Sequence, residues 1–243
     1  MPPKPAAESS DGDKPHFLGH RDRLRARFLA GGAEALQDYE LLELMLFSSI
    51  PQKDVKPLAK DLIRRFGSFA GVMAADPAQL MEVSGIKEKS AVAIKIVQAA
   101  AHLMQRQDVL QKPVLSSWKA VLDYCHSVMA HDQNEQFRLL FLDGKNALIA
   151  DEVQSRGTVN HAPVYVREVV KRTLTLGAVS IIMAHNHPTG DPTPSRDDIE
   201  MTRAVQRALG EVGVSVHDHL IIGRKGHASL RSLGYLDAGK PAR

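Results

Sequence analysis

The chain has 243 residues, of which 44% are hydrophobic, enough for one large core or two modest ones. A single cysteine, Cys125, excludes an internal disulfide, no apolar run approaches the thickness of a bilayer, and no signal peptide is recognisable, so a reducing cytoplasm is the expected home. The net charge of +3 and pI near 9.0 permit contact with a polyanion but are too small a surplus to argue for one.

Residues 1–15 carry neither periodicity nor large apolar side chains and are expected to be a disordered tail. A helical domain is expected over residues 16–105. It opens with H-R-D-R-L-R-A-R-F, where Leu24 and Phe28 form an apolar i, i+4 pair among Arg21, Arg23, Arg25 and Arg27. A solvated face is the plainer account of those arginines, and contact with phosphates or an acidic partner is the other. Residues 38–47 are apolar enough for a mostly buried helix, with Asp38 as its cap. Residues 55–66 form the next helix, ending at Gly67, and residues 68–73 and 76–82 read as two short ones. Asp76 caps the second of these, with Pro77 at its first position. A long alanine-rich helix follows over 89–105.

The segment D-P-A-Q-L-M-E-V-S-G-I-K-E-K-S-A-V-A-I-K-I resembles a helix-hairpin-helix, a module that offers backbone N–H groups at a helix N-terminus to a nucleic-acid phosphate. The candidate contacts are Gly85, Lys87 and Lys89. Only one glycine is present where the DNA-binding version has two, and Lys87 takes the second place. A structural turn between packed helices accounts for the same residues.

Residues 106–116, broken by Pro113, are the expected linker, and residues 117–243 the second domain. There Ser117 caps a helix reaching Met129, with Val121, Leu122, Cys125 and Val128 inward. A cysteine on such a stripe belongs to the core and is not a nucleophile. From Glu135 the pattern switches to period two: E-Q-F-R-L-L-F-L-D and A-L-I-A-D-E-V form a hairpin about Asp143-Gly144. A helix over 163–176, closed by Gly177, precedes a buried strand over 180–184. A helix over 196–212 and a last hairpin, 214–222 with 227–230, complete the chain. Strands interleaved with helices imply a mixed sheet with helices on its faces.

The chemistry gathers between the central strand and the helix after it, in M-A-H-N-H-P-T-G-D-P-T-P-S-R-D-D. His185 and His187 share one face of an extended chain, so both imidazoles leave the strand end in one direction. Pro188, Gly190, Pro192 and Pro194 forbid either element from continuing. Ser195 then caps the next helix, with Asp198 in its first turn, returning a carboxylate toward the strand end. Two imidazoles and a carboxylate form an N,N,O set suited to zinc with a fourth position open, the catalytic arrangement. Asp197 is a substitute ligand out of register, Asp191 a group placed to orient a histidine, and Asn186 faces away with a structural role. A second pair, His217 and His219, also reads as sharing one strand face. It could bind metal itself, but it lacks an acid at a matching spacing, so a place beside the site or a structural role is the plainer account.

H-N-H-P followed by S-R-D-D resembles the H-x-H-P...S-x-x-D signature of JAMM (MPN-plus) metalloproteases, in the version carried by the RadC family. N-E-Q-F-R-L-L-F-L-D, R-G-T-V-N, A-P-V-Y, R-E-V-V-K-R and H-D-H-L-I-I-G extend the similarity from Asn134 to Gly223. The resemblance implies a three-layer, cytidine-deaminase-like JAMM/MPN domain behind a helical leader. It also implies a zinc-dependent peptidase or isopeptidase acting on a protein or peptide. In that family the general base is a glutamate just before the first strand of the catalytic domain, and Glu135 matches it. Ser195 would both cap its helix and donate its hydroxyl to an oxyanion. The competing expectation is a DNA-associated accessory protein with a structural or vestigial metal site. A zinc nucleobase deaminase is excluded, because it needs P-C-x-x-C and Cys125 stands alone.

Overall fold

The computed structural model describes residues 16–110, 114, 118–156 and 164–236. The tail expected over residues 1–15, the cap at Ser117 and the helix start at Pro163 lie outside them. The chain divides into two compact units, with the boundary between Ile96 and Val97.

Among its described residues the first unit is all helical: α1 (His16–Gly31), a 3-10 turn (Ala33–Ala35), α2 (Asp38–Ser49), α3 (Lys56–Phe66), α4 (Phe69–Ala74), α5 (Pro77–Met81) and the start of α6 (Glu88–Leu110). Leu24, Leu42, Leu46, Ala59, Leu62, Val72, Leu80 and Ile94 form its core. Three expectations need correction. The α2 cap is Gln37 rather than Asp38, because Glu40 reaches back to accept the Gln37 N–H at 3.0 Å. The α1 arginines are not one solvated face: Arg21 is buried, donates to the carbonyls of Ile50 and Lys53 at 2.7 and 2.6 Å, and lies over the Phe47 ring. Arg27 is fixed by Glu40 at 2.8 Å, and Arg25 pairs with Asp22. Lastly, α6 runs to Leu110, five residues past its expected end, so residues 106–110 of the expected linker are helical.

The second unit is a five-stranded mixed sheet ordered β2-β1-β3-β4-β5, with β1 (Gln136–Leu142), β2 (Leu148–Arg156), β3 (Ser180–Asn186), β4 (Ser215–Gly223) and β5 (Gly226–Ser229). Among the described strands only β3 and β4 run parallel, and α9 (Arg196–Gly210) is the crossover between them. Strand alternation assigns the two faces. Leu139, Phe141, Ile181, Met183 and Ile221 pack with Val169 of α8 (Val166–Thr175) and with Val205 and Leu209 of α9. Leu140, Leu142, Ile182, Ala184, Leu220 and Ile222 pack with Val121, Cys125 and Met129 of α7 (Trp118–Met129). The result is helix, sheet, helix, as the alternation implied. The β1–β2 turn is longer than a two-residue Asp-Gly loop: Asp143 accepts the N–H groups of Lys145 and Ala147, and Asn146 takes the left-handed conformation. Every residue of β3 is buried, as suits the middle strand of a sheet covered on both sides.

Candidate metal centre

The centre lies where β3 ends and α9 begins. His185 is the last residue of β3 to pair with β1, opposite Phe137, on the face toward α9. His187 follows on the same face, its N–H donating to the Ile222 carbonyl at 3.0 Å. The loop then turns at Gly190, whose φ of +91° favours glycine, and passes against β4 so closely that a Cβ on Gly223 would lie 2.4 Å from the Gly190 carbonyl oxygen. Arg224 clasps the loop from outside, donating to the Pro188 carbonyl at 2.6 Å.

Ser195 caps α9 as expected, in a closed capping box. Its hydroxyl accepts the Asp198 N–H at 3.1 Å, and Asp198 Oδ2 accepts the Ser195 N–H at 2.8 Å. The box aims the carboxylate back at the strand. His185 Nε2 is 3.1 Å from His187 Nε2 and 3.1 Å from Asp198 Oδ1, and His187 Nε2 is 3.5 Å from Asp198 Oδ2. The two histidines and Asp198 are the one group of three or more such ligands found among the described residues. A tetrahedral ion with bonds of about 2.0–2.1 Å sets neighbouring ligand atoms about 3.3–3.4 Å apart; the two Nε2 atoms lie close to that spacing, and with one carboxylate oxygen they fall within 4.8 Å of one another, near enough to close on one small ion.

Proton placement supports the same fit. His187 Nδ1 lies 2.8 Å from the Asp191 carbonyl oxygen, which only accepts, so that nitrogen carries hydrogen and, in the neutral ring, Nε2 carries the lone pair. The expected aid from Asp191 therefore comes from its backbone; its carboxylate instead accepts from Thr193. Burial opposes charge on Asp198, yet its contacts with His185, His187 and Ser195 hold its carboxyl far below the usual carboxylate range. Conversely the Asp198 contact, against burial and aided by the Asp191 carbonyl and the charge of Glu135, raises the pKa of His187. Both directions describe a place that favours positive charge.

Glu135 stands just ahead of β1, half-buried. The β1–β3 register ends by pairing Phe137 with His185, which leaves Glu135 at the same end of the sheet as His187, close enough for its charge to act on that ring. Asn186, with its side chain buried on the opposite alternation, holds this segment. It accepts the Gln136 N–H at 2.9 Å and donates to the carbonyls of Asn134 at 3.1 Å and Asp132 at 3.4 Å. The Ser195 hydroxyl lies 2.6 Å from Asp198 Oδ2.

The second histidine pair is split. Ile181 pairs with Val216 and Ile182 with Asp218, so His217 is the extra residue of a β-bulge. It turns to Trp118 of α7, with ring centroids 5.6 Å apart, while His219 faces the centre and meets His185 at 2.8 Å. The strand pattern offers His217 and His219 as one pair, and of the two only His219 meets a ligand of the site. Thr202, which touches His219 from α9, carried no sequence signal beyond helical spacing. In the first unit Gly85 turns with φ +99° and Lys87 and Lys89 are exposed. The three line a cavity of about 780 Å³ with Lys53, Asp54, Asp61 and Glu88, so acids there match lysines in number.

Residues 115–235 match the RadC-like JAB domain family, and residues 17–92 match the UPF0758 N-terminal family. A UPF0758 protein of Rhodobacter capsulatus is 59% identical over 213 residues, spanning 88% of this chain and all of the relative. Another from Ruegeria pomeroyi is 56% identical over 221 residues, 91% of this chain and 99% of that one. No helix among the described residues is long and apolar enough to cross a membrane.

Proposed function

Because the chain belongs to the RadC family, with a UPF0758 N-terminal region and a RadC-like JAB domain, we propose that it is a zinc-dependent hydrolase cleaving an amide or isopeptide bond in a protein or peptide. One observation carries this reading: the Nε2 atoms of His185 and His187 lie 3.1 Å apart, and each is within 3.5 Å of one oxygen of the Asp198 carboxylate, so that one ligand atom from each residue falls within 4.8 Å of the others. Two nitrogens and one carboxylate oxygen suit zinc, and three protein ligands leave a fourth position for water or substrate.

When bound, zinc supplies a Lewis acid that polarises a carbonyl and brings the pKa of its water toward about 7. The remaining work falls to the chain. His185 and His187 orient their Nε2 atoms, and Asp198, held by Ser195, contributes the balancing charge. Glu135, between Asn134 and Gln136, which Asn186 holds, takes a proton from the attacking water at its carboxylate and returns it to the leaving amine. The Ser195 hydroxyl steadies Asp198 in the resting site and turns toward substrate only as an oxyanion develops. Its primary duty is therefore the cap.

Metal analysis of the purified protein and of two variants tests the reading. The wild-type chain is expected to hold stoichiometric zinc, and Asp198→Ala to lose most of it while remaining folded. Glu135→Gln is expected to keep zinc and lose about 10²–10⁴-fold of amide cleavage. A wild-type protein that takes up no zinc on reconstitution ends the proposal. The rival reading, nucleic-acid association through Gly85, Lys87 and Lys89, predicts salt-steep DNA binding abolished by a Lys87→Ala, Lys89→Ala double variant.

A further inference from the structure

Beneath the three ligand atoms runs a chain of hydrogen bonds whose direction can be worked out from its far end. Thr202 Oγ1 is 2.5 Å from the Asp198 carbonyl oxygen, one helical turn back. That oxygen has no proton, so the single hydroxyl proton of Thr202 points to it. Thr202 Oγ1 is also 2.5 Å from His219 Nδ1, and with its own proton committed it can only accept there. His219 Nδ1 therefore carries hydrogen. The His219 side chain is completely buried, where a charged ring is costly, so the ring is neutral and its Nε2 is bare. His219 Nε2 lies 2.8 Å from His185 Nδ1, which must then be the donor. The last consequence falls on His185: its proton sits on Nδ1, and its lone pair on Nε2 faces His187 and Asp198.

We propose that His219 and Thr202 are positioning residues whose hydrogen-bonded relay, running from the Asp198 carbonyl to the His185 ring, locks His185 in the tautomer that presents Nε2 to a metal ion. The proposal rests on the metal reading given above. It adds that β4 and α9 prepare the site before any ion arrives. His187 is set independently, through the Asp191 carbonyl, so the two ligands are oriented by two unrelated parts of the fold. The relay also ties the metal site to the crossover. Asp198 contributes its carboxylate above and its backbone carbonyl below, so a shift of the first turn of α9 disturbs both the third ligand and the tautomer of the first. Partners that orient a metal-binding histidine typically change metal affinity by about 10–100-fold when removed.

Two measurements on the full-length chain test this. Long-range proton–nitrogen spectra of the metal-free wild-type protein at alkaline pH read the His185 tautomer without any substitution. Hydrogen on Nδ1 is expected, and hydrogen on Nε2 would overturn the proposal. Zinc competition against a chromophoric chelator reads the consequence. His219→Phe keeps the ring volume but offers no acceptor, and should weaken zinc binding about 10–100-fold. His219→Gln offers an amide oxygen to His185 Nδ1 and should recover most of that loss. Thr202→Val, nearly isosteric, should weaken binding less than His219→Phe and loosen the tautomer preference. Wild-type zinc affinity in a folded His219→Phe would refute the relay. Should the wild-type chain bind no zinc at all, the metal reading falls by itself, and the imidazole spectrum still decides whether the relay exists.

Discussion

Asn186 offers the sharpest separation between holding the metal and placing the base. Its side chain is 1% exposed and makes two good hydrogen bonds, at 2.9 Å from the Gln136 N–H and 3.1 Å to the Asn134 carbonyl, and one weak one at 3.4 Å. Asn186→Ala strands the Gln136 N–H in a residue itself 1% exposed, at a cost of about 1–3 kcal/mol, whereas the carbonyl of exposed Asn134 can turn to water. Adding about 1 kcal/mol for the second bond gives a loss of about 2–4 kcal/mol. Trp118, the only tryptophan, opens α7 and so reports on the second unit in a urea titration. The midpoint should fall with the slope unchanged, and the Gln136 amide should lose its protection from hydrogen exchange. Asn186→Asp should do no better, because it keeps the acceptor but turns a carboxylate oxygen toward two carbonyls. Zinc affinity should stay within a few-fold of wild type, since Asn186 points away from His185 and His187, while amide cleavage falls with the release of Glu135. A loss below about 0.5 kcal/mol, with Gln136 still protected, would refute the assignment of Asn186 as the clamp on this segment.

Two further expectations concern the surroundings. Gly223→Ala would put a Cβ 2.4 Å from the Gly190 carbonyl oxygen and 2.8 Å from Pro192. The loop carrying His187 must retreat, costing about 1–3 kcal/mol and weakening zinc binding; an alanine variant with native stability and affinity would contradict that close approach. Cys125 is buried, and burial, followed by the charge of Asp151, pushes its thiol up to about 12. It should resist a disulfide reagent in the folded protein and react only on unfolding, so prompt labelling of the native chain would refute its assignment to the core.

The features fixed by short stretches of chain were legible in the sequence. The alternation that aligns His185 with His187, the serine cap that returns Asp198 to them and the prolines that stop both elements each depend on neighbours a few residues apart. Local rules erred by a residue or a turn where a competing side chain intervened, as when Glu40 moved the α2 cap to Gln37. What tertiary structure alone decided is how distant segments register against one another. Pairing of β1 with β3 sets Phe137 against His185 across about 50 residues and so brings the segment before β1, with Glu135, to the end of β3, which no spacing in the sequence contains. A single extra residue in β4 sends His217 to Trp118 and His219 to His185, although period two had put them on one face. The proton on Thr202 likewise acquires its meaning only when α9 lies against β4. Periodicity is a property of one segment, whereas register, bulges and hydrogen-bond direction belong to pairs of segments, and these pairs form only in the folded chain.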